Sequence, residues 1–213
     1  MSARGRRPGD SGTRQAILAA ARRSFAAAGY DGATMRGIAR EAGVDQALVH
    51  HFYGTKEHLF VTAVGFPALP SELAGQAIAA DRSRMGEVLL RLLLEVWDSP
   101  ESRDQITALL RSALASEPAM EMLRQFMTST VLQAVARELG DEDAALRTSL
   151  VFGQVIGLAL ARYVLRIPPL ATAEREQVVR AVAPTLQRYL TGEIDRDDPR
   201  ARRPPPVAGD GRR

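Results

Sequence analysis

Residues 34–60 (TMRGIAREAGVDQALVHHFYGTKEHLF) constrain what this chain can fold into more than any other stretch. Thr34 is a hydroxyl N-cap, able to accept a backbone N–H left over at the start of a helix. Ile38, Ala39 and Ala42 then recur at the three-to-four spacing of an apolar helical stripe. Gly43 stands where the chain must reverse, in a left-handed conformation that glycine adopts readily after a helix end. Asp45 caps a second helix whose Val49 and Tyr53 face inward, which leaves Gln46, Ala47, His50 and His51 as one outward stripe. Gly54, Thr55 and Lys56 repeat the succession of turn, cap and helix start. Two short helices joined by a glycine-containing turn make the helix-turn-helix layout, whose second helix enters a DNA major groove.

The same residues resemble a known family. Thr34, Arg36, Ile38-Ala39, Ala42-Gly43-Val44, the histidine-rich second helix, Lys56-Glu57 and Leu59 are similar to the pattern of the tetracycline-repressor (TetR) family of transcriptional regulators. The match covers residues 13–60, and the remainder agrees in length and helical rhythm. The resemblance implies an all-α fold, with an N-terminal three-helix DNA-binding domain and a C-terminal helical ligand-binding and dimerisation domain, about nine helices in all. It also implies that Lys56 contacts the DNA backbone. The chain departs from the family's usual pattern at His50, where Tyr is common, and at Phe52, where His is common. Gly37 replaces the acidic residue that commonly completes a capping box with Thr34.

Charge distribution agrees with a nucleic-acid partner for this segment. Residues 1–60 hold nine basic and five acidic side chains, and the remainder holds 19 and 20. The positive excess therefore sits on the helix-turn-helix segment, as phosphate binding requires. Lys56 is the chain's single lysine and lies just inside a helix start, where a cation and backbone N–H groups can share one phosphate. The candidate DNA contacts are Thr34, Arg36, Gln46, Ala47, Leu48, His50, His51, Phe52 and Lys56. Gln46 can pair with adenine N6/N7, Ala47 and Leu48 can touch a thymine methyl, and the histidines can donate to phosphate or to guanine.

Residues 1–12 lack apolar periodicity and are expected to be disordered; their arginines are either a DNA-following arm or a solvated tail. Thr13 is expected to cap a first helix running to about Ala28, with Ile17, Leu18, Ala21 and Phe25 inward. Ile17, Phe25, Ile38, Val44, Val49 and Tyr53 would form the core of a DNA-binding domain over residues 13–66. Gly65, Pro67 and Pro70 then break the helical pattern and mark a boundary. Beyond it the periodicity is helical throughout. Helices are expected over 85–97, from the start signal Ser99-Pro100-Glu101 to about Ala115, and from Ser116-Glu117-Pro118 to about Leu139. An apolar helix over 142–165 and a last one over 172–190 complete an effector-binding and dimerisation domain at 71–191. Residues 192–213, rich in Arg, Asp and Pro, are expected as a disordered tail.

Ser149, Gly153, Gly157 and Ala161 form a small-residue ridge at four-residue spacing, along which a second helix can pack closely. With Val178, Val182 and Leu186 of the last helix, Gly153, Gly157 and Ala161 are the candidate dimer interface, as an intersubunit four-helix bundle. The alternative is packing inside one subunit. Gly153-x-x-x-Gly157 is also a transmembrane packing motif. Gln154 and Arg162 interrupt the apolar run before the roughly 20 residues a span needs, so no membrane partner is expected. Phe66, Met85, Trp97, Met120, Phe126, Met127 and Phe152 are candidate lining of an effector pocket, although such residues equally fill cores. An inward-facing Arg124 or Arg162 would match an anionic group on the ligand.

Other chemistries find little support. Without cysteine there is no disulfide framework and no thiolate zinc site. His50 and His51 diverge by about 100° around a helix, so no metal or cofactor is expected. Gly54-Thr55-Lys56 lacks the spacing of a phosphate-binding loop, and no Gly-x-Ser-x-Gly occurs, so an enzyme is not expected. No signal peptide opens the chain, which points to the cytoplasm. The reading is a ligand-responsive repressor that binds a palindromic operator as a homodimer and is released by a small apolar effector. The alternative is a helical ligand-binding or architectural protein that binds DNA without sequence preference.

Overall fold

The computed structural model describes residues 8–140 and 143–194. Among the described residues every regular element is helical. The first four helices are α1 (Pro8–Gly32), α2 (Met35–Ala42), α3 (Gln46–Tyr53) and α4 (Lys56–Val64). α1 begins ahead of the expected Thr13 cap, which corrects the expectation of disorder for residues 8–12. Pro8 stands at the first position of α1, where its preset φ suits a helix start. Residues 1–7 and 195–213, where disorder was also expected, lie outside the described residues. Gly29, at φ 71° and ψ −178°, breaks the helical path near the end of α1.

Local side chains fix the next three helices. Thr34 Oγ1 accepts from Gly37 N–H at 3.0 Å, Asp45 Oδ1 from Ala47 N–H at 2.7 Å, and Thr55 Oγ1 from His58 N–H at 3.0 Å. Each such cap contributes about 1 kcal/mol. Gly43 closes α2 with φ 68° and ψ 31°, a left-handed geometry that strains any side chain with a Cβ. Ile17, Ile38, Val49 and Leu59 are fully buried between these helices, with Phe25 and Phe60 beside them, whereas Val44 is only half-buried. Burial of each is worth about 1.5–3 kcal/mol. Arg22 Nε–H donates to the Ala63 carbonyl at 2.8 Å, and Tyr53 O–H donates to the Arg14 carbonyl at 3.2 Å. Both bonds brace α1 against the other helices.

The body comprises α5 (Pro70–Ile78), α6 (Met85–Trp97), α7 (Pro100–Ala115), α8 (Glu117–Phe126), α9 (Gln133–Leu139), α10 (Ala144–Ala159) and α11 (Arg175–Thr191). A π turn at Met127–Leu132 joins α8 to α9, and another at Leu160–Val164 extends α10. Ser99 and Ser116 cap α7 and α8 through bonds to Ser102 and Ala119 N–H. α11 starts at Arg175, three residues after the expected Thr172. There Thr172 closes a turn instead, its N–H and Oγ1 both donating to the Pro169 carbonyl at 3.1 and 3.2 Å.

α6 and α11 approach most closely at Gly86. A Cβ there would lie 2.5 Å from Gln187 N and 2.8 Å from Ala183 O, both backbone atoms. Only glycine fits. Gly153 and Gly157, expected to admit a close helix chiefly from a second subunit, are exposed within this chain, and nothing lies within 4 Å of a Cβ built on either, so the alternative of close packing inside one subunit does not hold there.

Gln154 and Arg162 do not interrupt Ala144–Val164, which is one helical stretch of 21 residues, long and apolar enough by length and composition alone to cross a membrane, as the core helix of a helical body also can be. One face of it, through Val151, Val155, Leu158 and Ala159, is buried in the body's core.

Candidate nucleic-acid interface and interior cavity

α3 presents its polar face outward because Val49 and Tyr53 anchor the opposite face in the core. Gln46, Ala47, Leu48, His50 and His51 are all exposed, with Leu48 at 40%. Thr34 and Arg36 are exposed at the start of α2. Seven of the nine expected contacts are thus exposed to solvent.

His50 has a different job from the one expected. Its Nδ1 lies 3.0 Å from the Gly54 carbonyl, which can only accept, so Nδ1 carries a proton. In the neutral ring Nε2 is then an acceptor, and the Gln46 amide nitrogen lies 3.2 Å from it. Neutral His50 thus has no remaining donor for a phosphate or guanine. It ties the end of α3 and holds the Gln46 amide, leaving the Gln46 carbonyl oxygen turned away from the ring. Sequence reasoning missed this, although the i, i+4 spacing of Gln46, His50 and Gly54 contains it.

Phe52 and Lys56 also depart from simple outward contacts. Phe52 is half-buried against the core, with the Arg14 guanidinium 5.1 Å from its ring centre. Its apolar ring gains more from that burial than from facing water. Lys56 bends back over the Tyr30 ring at 4.5 Å and donates to the Asp31 carbonyl at 3.2 Å. Partial burial lowers its ammonium below the ordinary lysine value, with the Asp31 charge pulling the other way. Two of its three donors remain for an anion.

A junction that the sequence reading did not find joins this head to the body. Tyr30 and Phe60 both pack on Phe126, with ring centres 5.1 and 4.5 Å away. Thr130 Oγ1 donates to the Tyr30 hydroxyl at 3.2 Å, and Asp31 N–H donates to Gln125 Oε1 at 3.3 Å. Burial raises the Tyr30 hydroxyl above its ordinary pKa, and the Thr130 bond partly offsets this. Phe126 is fully buried here, so it does not line the cavity as expected. Aromatic residues at 25, 30, 60 and 126 gave no periodic signal, because they come from three separate helices.

Inside the body is an apolar cavity of about 110 Å³. Phe66, Met85, Trp97, Met127 and Phe152 line it, together with leucines, isoleucines and valines from α5 to α11. Met120 does not, being 40% exposed on the outer side of α8. Neither arginine considered for an anionic ligand reaches it. Arg124 is exposed and paired with Glu121 at 2.6 Å. Arg162 is buried, but it donates to the Leu170 carbonyl at 2.6 Å and pairs with Asp98 at 3.4 Å.

That pair belongs to a polar clamp beside the cavity. Asp98 also accepts from Tyr163 O–H at 2.9 Å and from Arg175 Nε–H at 3.1 Å, so one carboxylate ties the end of α6 to the π turn after α10 and to α11. Burial pushes the Asp98 carboxyl up, but its hydrogen bonds from Tyr163 and Arg175 and the charge of Arg162 outweigh that and hold it below the ordinary value. Burial, and then Asp98, push the Tyr163 hydroxyl far above its ordinary pKa.

The candidate dimer residues divide. Gly153 and Gly157 are exposed and Ala161 and Val182 half-buried, whereas Val178 and Leu186 are buried at 3% and 0% within the chain's own core. Those two pack inward because α11 lies along α6, so that face is unavailable to a second copy. Leu146 at 54% and Leu165 at 67% exposure extend the outward stripe of α10 and its π turn.

Known proteins resemble the chain over both parts. A sequence model for bacterial regulatory proteins of the tetR family matches residues 17–63, and one for the tetracyclin repressor-like C-terminal domain matches residues 83–190. The chain is similar to the HTH-type transcriptional repressor AcnR of Corynebacterium glutamicum, 32% identical over 127 residues, which is 57% of this chain and 55% of that protein. That match thus spans little more than half the relative's length. The HTH-type transcriptional regulator BetI of Agrobacterium fabrum is 28% identical over 175 residues, covering 78% of this chain and 84% of that protein. Among solved structures, a TetR-family regulator from Streptomyces coelicolor is 42% identical, over 87% of this chain and 98% of that one, with a TM-score of 0.47.

Proposed function

The chain belongs to the TetR family of transcriptional regulators, and from that premise we propose that it is a homodimeric repressor of a palindromic operator, released by a small apolar effector. The observation that carries the reading is the exposed face of α3, where Gln46, Ala47, Leu48 and His51 stand free of the core on a helix capped at both ends. Residues 13–66, with the earlier turns of α1, form the DNA-reading head, and residues 71–191 the effector-binding and dimerising body. Gln46 reads adenine, Ala47 and Leu48 meet thymine methyls, and Thr34, Arg36, His51 and Lys56 engage phosphates. The protein works in the cytoplasm, on double-stranded DNA.

Two copies pair through the outward face of α10, where exposed Gly153 and Gly157 permit close approach and Leu146 and Leu165 supply apolar area. A second subunit, and not lipid, covers this helix. The paired heads then reach half-sites about 34–36 Å apart, one turn of DNA, or a multiple of that spacing.

Effector occupancy reaches the head through adjoining residues. Met127 lines the cavity while its neighbour Phe126 packs on Phe60 of α4 and on Tyr30, whose ring also supports Lys56. A ligand releases DNA only if it favours the arrangement that fits the operator less well. The test is fluorescence anisotropy of the full chain with DNA from upstream of its own gene. Tight, salt-dependent binding to one inverted repeat, lost on a scrambled duplex, is expected. Equal affinity for both duplexes at physiological salt would instead favour a sequence-nonspecific binder.

A further inference from the structure

We infer that the interior cavity is one half of a two-part site whose ligand is an elongated, neutral amphiphile. Its alkyl end lies in the cavity, and its hydroxyl or amide end lies in an adjoining groove against α4. The inference rests on the reading of the cavity as the effector site and names the class of effector. At about 110 Å³ the cavity is smaller than the roughly 150 Å³ apolar space that accepts benzene. It is also well below the roughly 300–1,000 Å³ of sites that bury a whole ligand, so it has room for part of one.

A groove of about 360 Å³ lies among α4, α7 and α8. Ala108, Ala113 and Ala119 line it, and their short side chains leave the space that Phe60 and Val64 of α4 border. Leu109 and Leu123 line both the groove and the cavity, so the two spaces share these side chains as a wall. Both leucines are half-buried. A leucine rotamer change moves only hydrocarbon, so opening that wall leaves no side-chain polar group unpaired. A ligand reaching through it lies directly against the last helix of the head.

The lining fixes the ligand's chemistry. None of the described side chains lining either space is ionisable, so a charged ligand would find no counter-charge in cavity or groove. The cavity walls are almost wholly hydrocarbon, which suits an alkyl end. In the groove only Gln105 and Ser112 bring a side-chain nitrogen or oxygen. They stand two turns apart on one side of α7, about 10.5 Å along its axis. Both are exposed, and neither has a hydrogen-bond partner among the described residues. An amide and a hydroxyl each donate and accept, which matches a neutral hydroxyl or amide end.

Calorimetry on the full chain with 1-alkanols from butanol to decanol tests the span. A two-part site should gain about fourfold in affinity per added methylene across the whole series. Trp97 is the chain's single tryptophan and lines the cavity, so bromine, a contact-range quencher of indole fluorescence, reports which end lies there. 10-Bromo-1-decanol is expected to quench Trp97, and 2-bromo-1-decanol is not. Gln105→Ala combined with Ser112→Ala, both at exposed positions, should weaken decanol roughly tenfold, the range of two neutral hydrogen bonds. Affinity that stops rising by pentanol overturns the two-part site. So does quenching by the 10-bromo isomer no stronger than by the 2-bromo isomer, or unchanged decanol affinity in the double variant. The effector-site reading of the cavity fails separately, when no alkanol binds and neither bromide quenches Trp97. The alkanol series and the bromide pair use the wild-type protein, so they decide the matter if the double variant does not fold.

Discussion

The head and the body solve opposite packing problems. In the head, the short helices α2, α3 and α4 are each fixed by their own caps, and the core between them and the longer α1 is closed by Ile17, Phe25, Ile38, Val49 and Leu59. The face proposed to read DNA is solvent-exposed. The body's helices are tied by distant partners, Gly86 against α11 and Asp98 against Arg162, Tyr163 and Arg175, and they leave a hollow between them. The cavity proposed to take an effector is apolar. The contrast teaches that a reading face can be specified by local sequence, whereas a binding cavity exists only through contacts between residues far apart in the chain.

If the two regions are joined as one cooperative unit, Phe126→Ala should show it most strongly. Removing this fully buried ring should cost about 3–5 kcal/mol in denaturant unfolding and separate head melting from body melting. A loss under about 1 kcal/mol, with a single transition retained, would refute the junction. Asp98→Ala should destabilise by a similar amount, about 3–5 kcal/mol, because Arg162 is left buried without its counter-charge. The same carboxylate gives a pH signature. Its folded pKa lies below the ordinary 3.8, so its stabilisation is complete above that value and is lost as pH falls through the folded pKa. Asp98→Asn should therefore flatten the acid limb of the stability curve, measured by calorimetry between pH 2 and pH 5.

Gly86→Ala should cost about 1–3 kcal/mol, since a Cβ would strike the α11 backbone, while leaving head melting unaltered. Within the head the effects fall on binding. Gln46→Ala should remove about 1–3 kcal/mol of discrimination at one base pair. His50→Ala should reproduce part of that loss without touching DNA itself, because it releases the Gln46 amide. Identical specificity profiles for wild type and His50→Ala would argue against that positioning role. The smallest expected effect is on Lys56→Ala, which should weaken all duplexes alike and reduce the salt slope by about 1.

The head was legible because its determinants are close in sequence. Thr34, Gly43, Asp45 and Thr55 each act within three or four residues of themselves, so their spacing announces where helices begin and end. The start of α7 at Ser99-Pro100 was legible for the same reason. Misreadings arose where a side chain had two plausible partners. Val178 and Leu186 suit a dimer interface by periodicity, yet α6 of the same chain covers them. Met120 and Phe126 suit a pocket by composition, but one faces solvent and the other fills the junction with the head.

The sequence by itself determined the helical fold, the helix-turn-helix and the polar stripe that α3 turns outward, because caps, glycine turns and period are local properties. Only the tertiary structure decided that Gly86 is the tight crossing within the chain while Gly153 and Gly157 stay open, and that Trp97 stands in a cavity wall with an unpartnered N–H among the described residues. Each of those facts depends on where other side chains lie in space, and periodicity along one helix carries no information about the helix opposite.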